Sequence, residues 1–318
     1  MKTYTIKPND ADQRLDKFIR KAFVKLSLPS IFKYIRTKRV KVNGKKAAID
    51  YKLQVGDKVD LYINDILTEK TANKNDFLLA KDKLDIIYED DNIIVVNKPI
   101  GVVVQDDDTK TVDTLCNRLL KYLYNKKLWD PKQETSFTPA FVHRLDRNTQ
   151  GLIIGAKTVM AARILSQKIK DHEIDKFYLA HVYGIIDPKK GVLHDYLTKD
   201  TRNTKANYVK ITKKPISKDS KEIITEYETL SYDKDTSIVE IHLITGKTHQ
   251  IRAHMNYIKH PLVGEHKYTS DLYEKNDKIY QSLISCKIVF NFKTDAMVLN
   301  YLKNKVISLP INKQTFFV

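Results

Sequence analysis

The chain has 318 residues, 42% hydrophobic and 30% charged, which supports a packed core and leaves room for two domains. With 56 Lys and Arg against 39 Asp and Glu, the formal net charge is +17, and such an excess points to a polyanionic partner, nucleic acid ahead of a membrane surface. The longest apolar run, Gly151 to Ala156, is far too short for a membrane span, and two distant cysteines, Cys116 and Cys286, exclude a disulfide scaffold or a Cys-rich zinc module.

The N-terminus MKTYTIKPND has no apolar segment of signal-peptide type, so a reducing, cytoplasmic setting is expected. The charge is uneven. Residues 1–63 hold 16 Lys and Arg and 6 Asp and Glu, whereas the other 255 residues hold 40 and 33. A small basic module joined to a larger, nearly balanced domain follows from that asymmetry. The expected division is a module over 1–63, a polar linker over 64–82 and a second domain over 83–318.

Within the module, Asp12 is expected to cap a helix whose apolar positions are Leu15, Phe18, Ile19, Ala22 and Phe23. Ser27 can cap a second helix with Pro29 in its first turn and Ile31, Phe32 and Ile35 as its apolar positions. Val40-Lys41-Val42 alternates as a strand into the turn Asn43-Gly44, and Val59, Leu61 and Ile63 alternate in a last strand. Arg14, Lys17, Lys33, Arg36, Lys38 and Arg39 mark a basic face over the two helices. One such helix face reads as a solvated surface; two adjacent ones on a strongly basic module read as phosphate contacts. The stretches RLDKFI (14–19), LSLPSIFKYIRTKRVKVNG (26–44) and LQVGDKV (53–59) resemble the S4 RNA-binding domain, which implies RNA binding and names no reaction.

Beyond the linker the pattern is strand-rich. Strands are expected at 86–88, 93–96, 151–155, 177–183, 206–212, 222–230, 237–245 and 283–292, with helices near 113–124 and 158–170. This is an α+β domain with a mixed, mostly antiparallel sheet, beside a small N-terminal α/β module. The Asp106-Asp107-Asp108 run reads as a solvated loop. No dinucleotide, phosphate-loop, zinc-protease or serine-hydrolase motif occurs. His249 and His254 are five residues apart, off a common helix face, so no metal site is expected. A reaction without cofactor is the working expectation.

The densest polar cluster is Phe141-Val-His-Arg-Leu-Asp-Arg-Asn-Thr-Gln-Gly151, just before an apolar strand. It reads either as a surface loop with an Arg144–Asp146 or Asp146–Arg147 ion pair, or as a functional loop on a rigid element. Here the chain resembles the RluA-type RNA pseudouridine synthases. The matching elements, in order, are Asn97-Lys-Pro-Ile-Gly-Val-Val-Val104, His143-Arg-Leu-Asp-Arg-Asn-Thr-Gln-Gly151, Lys176-Phe-Tyr-Leu-Ala-His-Val-Tyr-Gly184, Thr245-Gly-Lys-Thr-His-Gln-Ile-Arg-Ala-His254 and His260-Pro-Leu-Val-Gly264.

That resemblance implies a base-flipping isomerisation of uridine without cofactor. It implies Asp146 as an ionised carboxylate acting at the ribose, as nucleophile or as base, and Arg252 as its partner. The competing reading of Arg252 is a surface residue on a helix capped by Thr248. Tyr178 is expected against the flipped uracil, and Arg144 in the gap the base leaves. Lys98 and His143 are expected to contact RNA or support the loop, and Ile244 and Leu262 to form apolar pocket wall. Asn148, Gln150, Lys247 and Gln105 depart from the family's usual Asp, Ser, Arg and His. The S4-like module with this domain implies ribosomal RNA of the large subunit as partner, transfer RNA as runner-up, no membrane partner and a monomer.

Overall fold

The computed structural model describes residues 1–23, 26–63, 76–106, 111–133, 136–199, 208–269 and 280–310. Most of the expected linker, residues 64–75, lies outside these, as do Asp107, Asp108 and the first two positions of the strand expected at 206–212.

The N-terminal unit carries β1 (Lys2–Thr5), α1 (Leu15–Ala22), α2 (Leu28–Arg36), β2 (Val40–Val42) and β3 (Lys58–Leu61). The strands form an antiparallel sheet in the order β1-β3-β2. Leu15, Phe18, Ile19 and Ala22 of α1 and Ile31 and Ile35 of α2 pack with Val40, Val42, Val59 and Leu61 in one core. Each such burial contributes roughly 1.5–3 kcal/mol against leaving the side chain in water. Asn43 and Gly44 both have positive φ, at 52° and 72°, as a two-residue primed turn requires. Ser27 caps α2 as expected, its hydroxyl accepting from Ser30 N. Asp12 does not cap α1. It sits at φ 54°, and Arg14 occupies the cap position without a side-chain cap bond.

This unit is seated against the rest of the chain. Asp10 Oδ1 accepts from Ser136 N at 3.0 Å and from Ser136 Oγ at 2.5 Å. Gln13 Nε2 donates to Ser136 Oγ at 2.8 Å, and Arg163 Nη2 donates to Ala11 O at 3.2 Å. These contacts oppose the relative motion that a polar linker alone suggests. The linker also ends early: Phe77 is buried edge-on against Trp129 and Tyr124.

The larger unit contains β4 (Ile86–Glu89), β5 (Ile93–Lys98), α3 (Leu115–Asn125), β6 (Ala140–Phe141), β7 (Gln150–Ala156), α4 (Val159–Lys170) and β8 (Asp175–Tyr183). It continues through β9 (Lys190–Lys199), β10 (Val209–Thr212), β11 (Lys221–Tyr232), β12 (Thr236–Leu243), α5 (Gln250–Tyr257), β13 (Leu283–Val289) and β14 (Val306–Ser308). Among the described residues these strands form one sheet, ordered β10-β9-β11-β12-β8-β13-β7-β5-β4, with β6 on β7 and β14 on β13. Only the β13–β7 pair is parallel, so the sheet is mixed and mostly antiparallel.

The middle of the sheet is covered on both faces. Ile94, Val96 and Ile153 join the core under α3, while Ile93, Val95, Leu152 and Ile154 join the core under α4. That is why β5 and β7 are continuous apolar runs rather than alternating ones. The sequence reading overlooked β9. Its run Lys190-Gly-Val-Leu-His-Asp-Tyr-Leu-Thr-Lys199 is half polar, and it becomes a strand because β10 and β11 flank it and supply its hydrogen-bond ladders. No helix among the described residues is long and apolar enough to cross a membrane.

Candidate active site

The polar loop before β7 is built into the sheet at its C-terminal end by a glycine. Gly151 has φ 114° and pairs with Ser285 of β13. A Cβ at this position would lie 2.2 Å from the Ser285 carbonyl oxygen, so only glycine lets the two strands meet here. Upstream, the loop closes on itself through Thr149 N, which donates to Asp146 O at 3.1 Å. Gln281 Nε2 donates to Thr149 Oγ1 at 3.1 Å, and Gly101 N donates to Arg147 O at 3.0 Å.

Lys98 and His143 complete this scaffold. Lys98 is fully buried, and its Nζ donates to Pro99 O, Val102 O and Arg147 O at 2.8–2.9 Å. Burial presses its pKa down to about 7, against the attraction of Asp146. The three carbonyls use all three ammonium protons. An enclosed lysine so occupied cannot reach RNA, so of the two expected roles it takes loop support. His143 Nε2 accepts from Ile154 N at 3.1 Å, and burial pushes the imidazole down to about 3. It is a neutral acceptor bracing the loop onto β7, not a cationic RNA contact.

The loop carries Asp146 to the wall of a cavity of about 430 Å³. Arg252 on α5 meets it there, with Nη1 3.2 Å from Asp146 Oδ2. The expected pairs Arg144–Asp146 and Asp146–Arg147 do not form among the described ion pairs; the carboxylate turns to the arginine distant in sequence. Arg252 is not a surface residue. It is nearly buried, and α5 starts after His249, whose left-handed backbone at φ 57° replaces the cap foreseen at Thr248. Burial works against the Arg252 charge, but the hydrogen bonds and charge of Glu265, then Asp146, outweigh it and raise its pKa.

Tyr178 on β8 lines the same cavity and is 4% exposed. Burial raises its phenol pKa, with the Ser285 hydroxyl pulling the other way. Arg144 is exposed at the cavity rim. Ile244 lines the cavity as expected. Leu262 does not: it is fully buried in the core and bridges to Val182. The structure therefore brings Asp146, Arg252, Tyr178 and Arg144 to one cavity.

Sequence reasoning missed four neighbours. Glu265 grips Arg252 Nε and Nη2 at 2.7 Å each. It directly follows the His260–Gly264 segment, and nothing local marks it as a partner of Arg252. His249 Nε2 lies 3.8 Å from Asp146 Oδ2, and its Nδ1 is 2.7 Å from the Tyr268 hydroxyl. Burial, aided by Arg252 and Lys267 and opposed by Asp146, pushes His249 down to about 4. Lys176, two residues before Tyr178, also lines the cavity. Among the described residues no group of His, Cys, Asp and Glu could hold a metal ion.

In the N-terminal unit Lys17, Lys33, Arg36, Lys38 and Arg39 are exposed. Arg14 is exposed too, but its guanidinium is engaged with both oxygens of Asp16 at 3.0 Å. Arg39 lies over the Tyr34 ring, 6.0 Å from its centroid.

A carboxylate held by an arginine, a phenol in the cavity wall and cationic side chains around the opening fit an enzyme site that receives an anionic substrate. Comparison with known proteins agrees. The RNA pseudouridylate synthase family matches residues 92–257, and the S4 domain matches residues 13–59. An RNA pseudouridine synthase of Mycoplasma genitalium is 36% identical over 294 residues, covering 90% of this chain and 88% of that one. The ribosomal large subunit pseudouridine synthase C of Buchnera aphidicola is 33% identical over 270 residues, covering 83% of this chain and 79% of that one. The structure of human RNA pseudouridylate synthase domain containing 4 has the same fold, with a TM-score of 0.56 at 21% identity over 73% of this chain and 90% of that one. The chain belongs to the RNA pseudouridine synthase family. It is an isomerase that acts on RNA and carries an S4 domain at its N-terminus.

Proposed function

We propose that this enzyme converts specific uridines of large-subunit ribosomal RNA to pseudouridine, with Asp146 acting at the ribose. The pairing of the Asp146 carboxylate with Arg252, on the wall of a cavity that also holds Tyr178, carries this reading. The target base leaves its stack and enters the cavity. The bond between uracil N1 and C1′ breaks, the base rotates, C5 bonds to C1′, and the proton on C5 leaves. Asp146 either attacks C1′ as uracil leaves, its ester bond breaking when C5 bonds to C1′, or takes the C2′ proton as uracil leaves C1′ and returns it when C5 bonds there; N1 gains a proton as C5 loses one. Tyr178, a neutral phenol, offers a flat wall for the rotating uracil. Arg144 at the rim fills the gap in the RNA, because its guanidinium is planar, charged and able to stack.

Residues 1–63 act as the RNA anchor, through Lys17, Lys33, Arg36, Lys38 and Arg39, with Arg14 partly neutralised by Asp16. Residues from 83 onward, joined by the segment around Phe77, carry the chemistry. The large-subunit substrate is supported by the names of relatives such as the synthase C of Buchnera aphidicola. The departures Asn148, Gln150 and Lys247 leave Asp146, Arg144, Tyr178 and Arg252 in place.

The test is Asp146→Asn, expressed in cells lacking this gene, with pseudouridine mapped across all cellular RNA. The expected result is that the large-subunit sites restored by the unaltered protein stay unmodified. Modification at unaltered levels would overturn the role of Asp146. Restored sites confined to transfer RNA would overturn the substrate.

A further inference from the structure

Lys176 is the one lysine on the cavity wall that the chemistry above does not use and that solvent barely reaches. It is 7% exposed, on β8. Its alternation with Tyr178 places both side chains on the same buried face, and at a rise of about 3.3 Å per residue they stand roughly 7 Å apart along the strand. Among the described residues its ammonium makes no hydrogen bond and no ion pair. Lys98, fully buried, shows the contrast, with three carbonyls around its Nζ. Its ammonium, that of Lys176, opens only onto the cavity, so it depends on whatever fills the cavity for acceptors, a costly position for a side chain this enclosed.

Its surroundings make the cost larger. The Lys176 ammonium lies against the Gly246 backbone, 3.5 Å from where a Cβ would stand. Gly246 is followed by Lys247, and Lys170 and His172 also line the cavity. Burial first, then the like charge of Lys247, lowers the Lys176 pKa. The carboxylate that attracts it, Asp175, points to the other face of β8, where it meets His242 Nε2 at 3.3 Å and Asn291 Nδ2 at 3.2 Å. Among the described residues the only carboxylate lining the cavity is Asp146, already held by Arg252. The cavity therefore carries a concentration of positive charge with an open acceptor position.

We propose that Lys176, with Lys247 and Lys170, forms a phosphate subsite that holds a backbone phosphate of the RNA next to the flipped uridine. The inference rests on the reading of this cavity as the synthase active site. A phosphodiester supplies both the negative charge and the acceptor oxygens that Lys176 lacks, in charge-assisted hydrogen bonds. It also relieves the repulsion between the lysines. The contact anchors the nucleotide beyond the base wall formed by Tyr178, and so sets how deep the uridine enters. Lys176 is a binding residue, distinct from the reacting groups at Asp146.

The experiment uses the full-length protein and bulk RNA carrying tritium at uridine C5, taken from cells that lack this gene. Tritium release is followed for Lys176→Met, Lys176→Arg and the unaltered protein over a range of salt concentrations. Lys176→Met is expected to raise KM about 10-fold or more, to leave kcat within about threefold, and to lower the salt slope of log KM by about 0.7 to 1 per phosphate lost. Lys176→Arg is expected to recover most of the KM. Unchanged KM and salt slope, or a loss confined to kcat, would each overturn the subsite. Should Lys176→Met fail to fold, the exposed pair Lys170→Met with Lys247→Met carries the test: an unchanged salt slope there also overturns it. Asp146→Asn run alongside separates the two readings. If it keeps full activity, the assignment of the site has failed; if it is inactive while the lysine variants behave normally, only the subsite has.

Discussion

Arg252 gives two of its three guanidinium nitrogens to Glu265, at 2.7 Å each, and keeps Nη1 for Asp146 at 3.2 Å. Glu265 is fully enclosed, so the arginine is fixed by a residue away from the cavity and presented to the one on the cavity wall. The planar fork of arginine makes this division possible, and lysine could not reproduce it.

Replacing Glu265 with Gln keeps the shape and removes the charge that fixes Arg252. The arginine should then swing toward Asp146 or lose its alignment. Tritium release is expected to fall by about 10- to 100-fold in kcat with little change in KM, a loss of preorganisation rather than of RNA binding. An unaltered kcat would show that Asp146 does not depend on this anchor.

Gly151 joins the loop that carries Asp146 to the sheet at φ 114°, with a notional Cβ 2.2 Å from the backbone of Ser285. Gly151→Ala must either push β7 from β13 or break their pairing. A destabilisation of about 3 kcal/mol or more in urea unfolding is expected, with soluble yield falling accordingly. A loss below about 1 kcal/mol would mean that the strands separate easily here.

Acid should weaken the fold through three imidazoles. His143 is held at about 3, and His249 and His254 at about 4, with burial as the first cause in each. Between these values and the ordinary value of about 6.5, the unfolded chain binds protons that the folded chain refuses. Stability therefore grows with pH across that window. It is fully present above about 6.5 and lost progressively as pH falls toward 4. The urea midpoint should drop between about pH 7.5 and about pH 4.5, and His143→Gln, which keeps an acceptor for Ile154 N, should flatten part of that drop. An identical pH profile in the variant would remove His143 from the cause.

Much of the N-terminal unit was legible from residues alone, because its signals are local. The i, i+3, i+4 spacing in α1 and α2, the Ser27 cap and the Asn43-Gly44 turn each act within a few residues. The Asp12 cap failed because the chain reaches α1 through a positive φ at that residue, a consequence of how it leaves β1. In the larger unit β5 and β7 were visible as apolar runs. The half-polar β9 was not, since its partners β10 and β11 are what make it a strand.

The sequence by itself determined the family, the basic character of the first 63 residues, and the identity of Asp146, Arg144, Tyr178 and Arg252 as candidates. Those follow from residue types at short, ordered spacings. Only the tertiary structure decided which charges are available. It turned Asp146 away from Arg144 and Arg147 toward Arg252, 106 residues on. It also withdrew Lys98 into a cage of carbonyls and left the Lys176 side chain on the cavity wall, with no ion pair among the described residues. The physical reason is that a charge's role depends on burial and on which acceptors the folded chain brings within about 3 Å, and neither is encoded in local spacing.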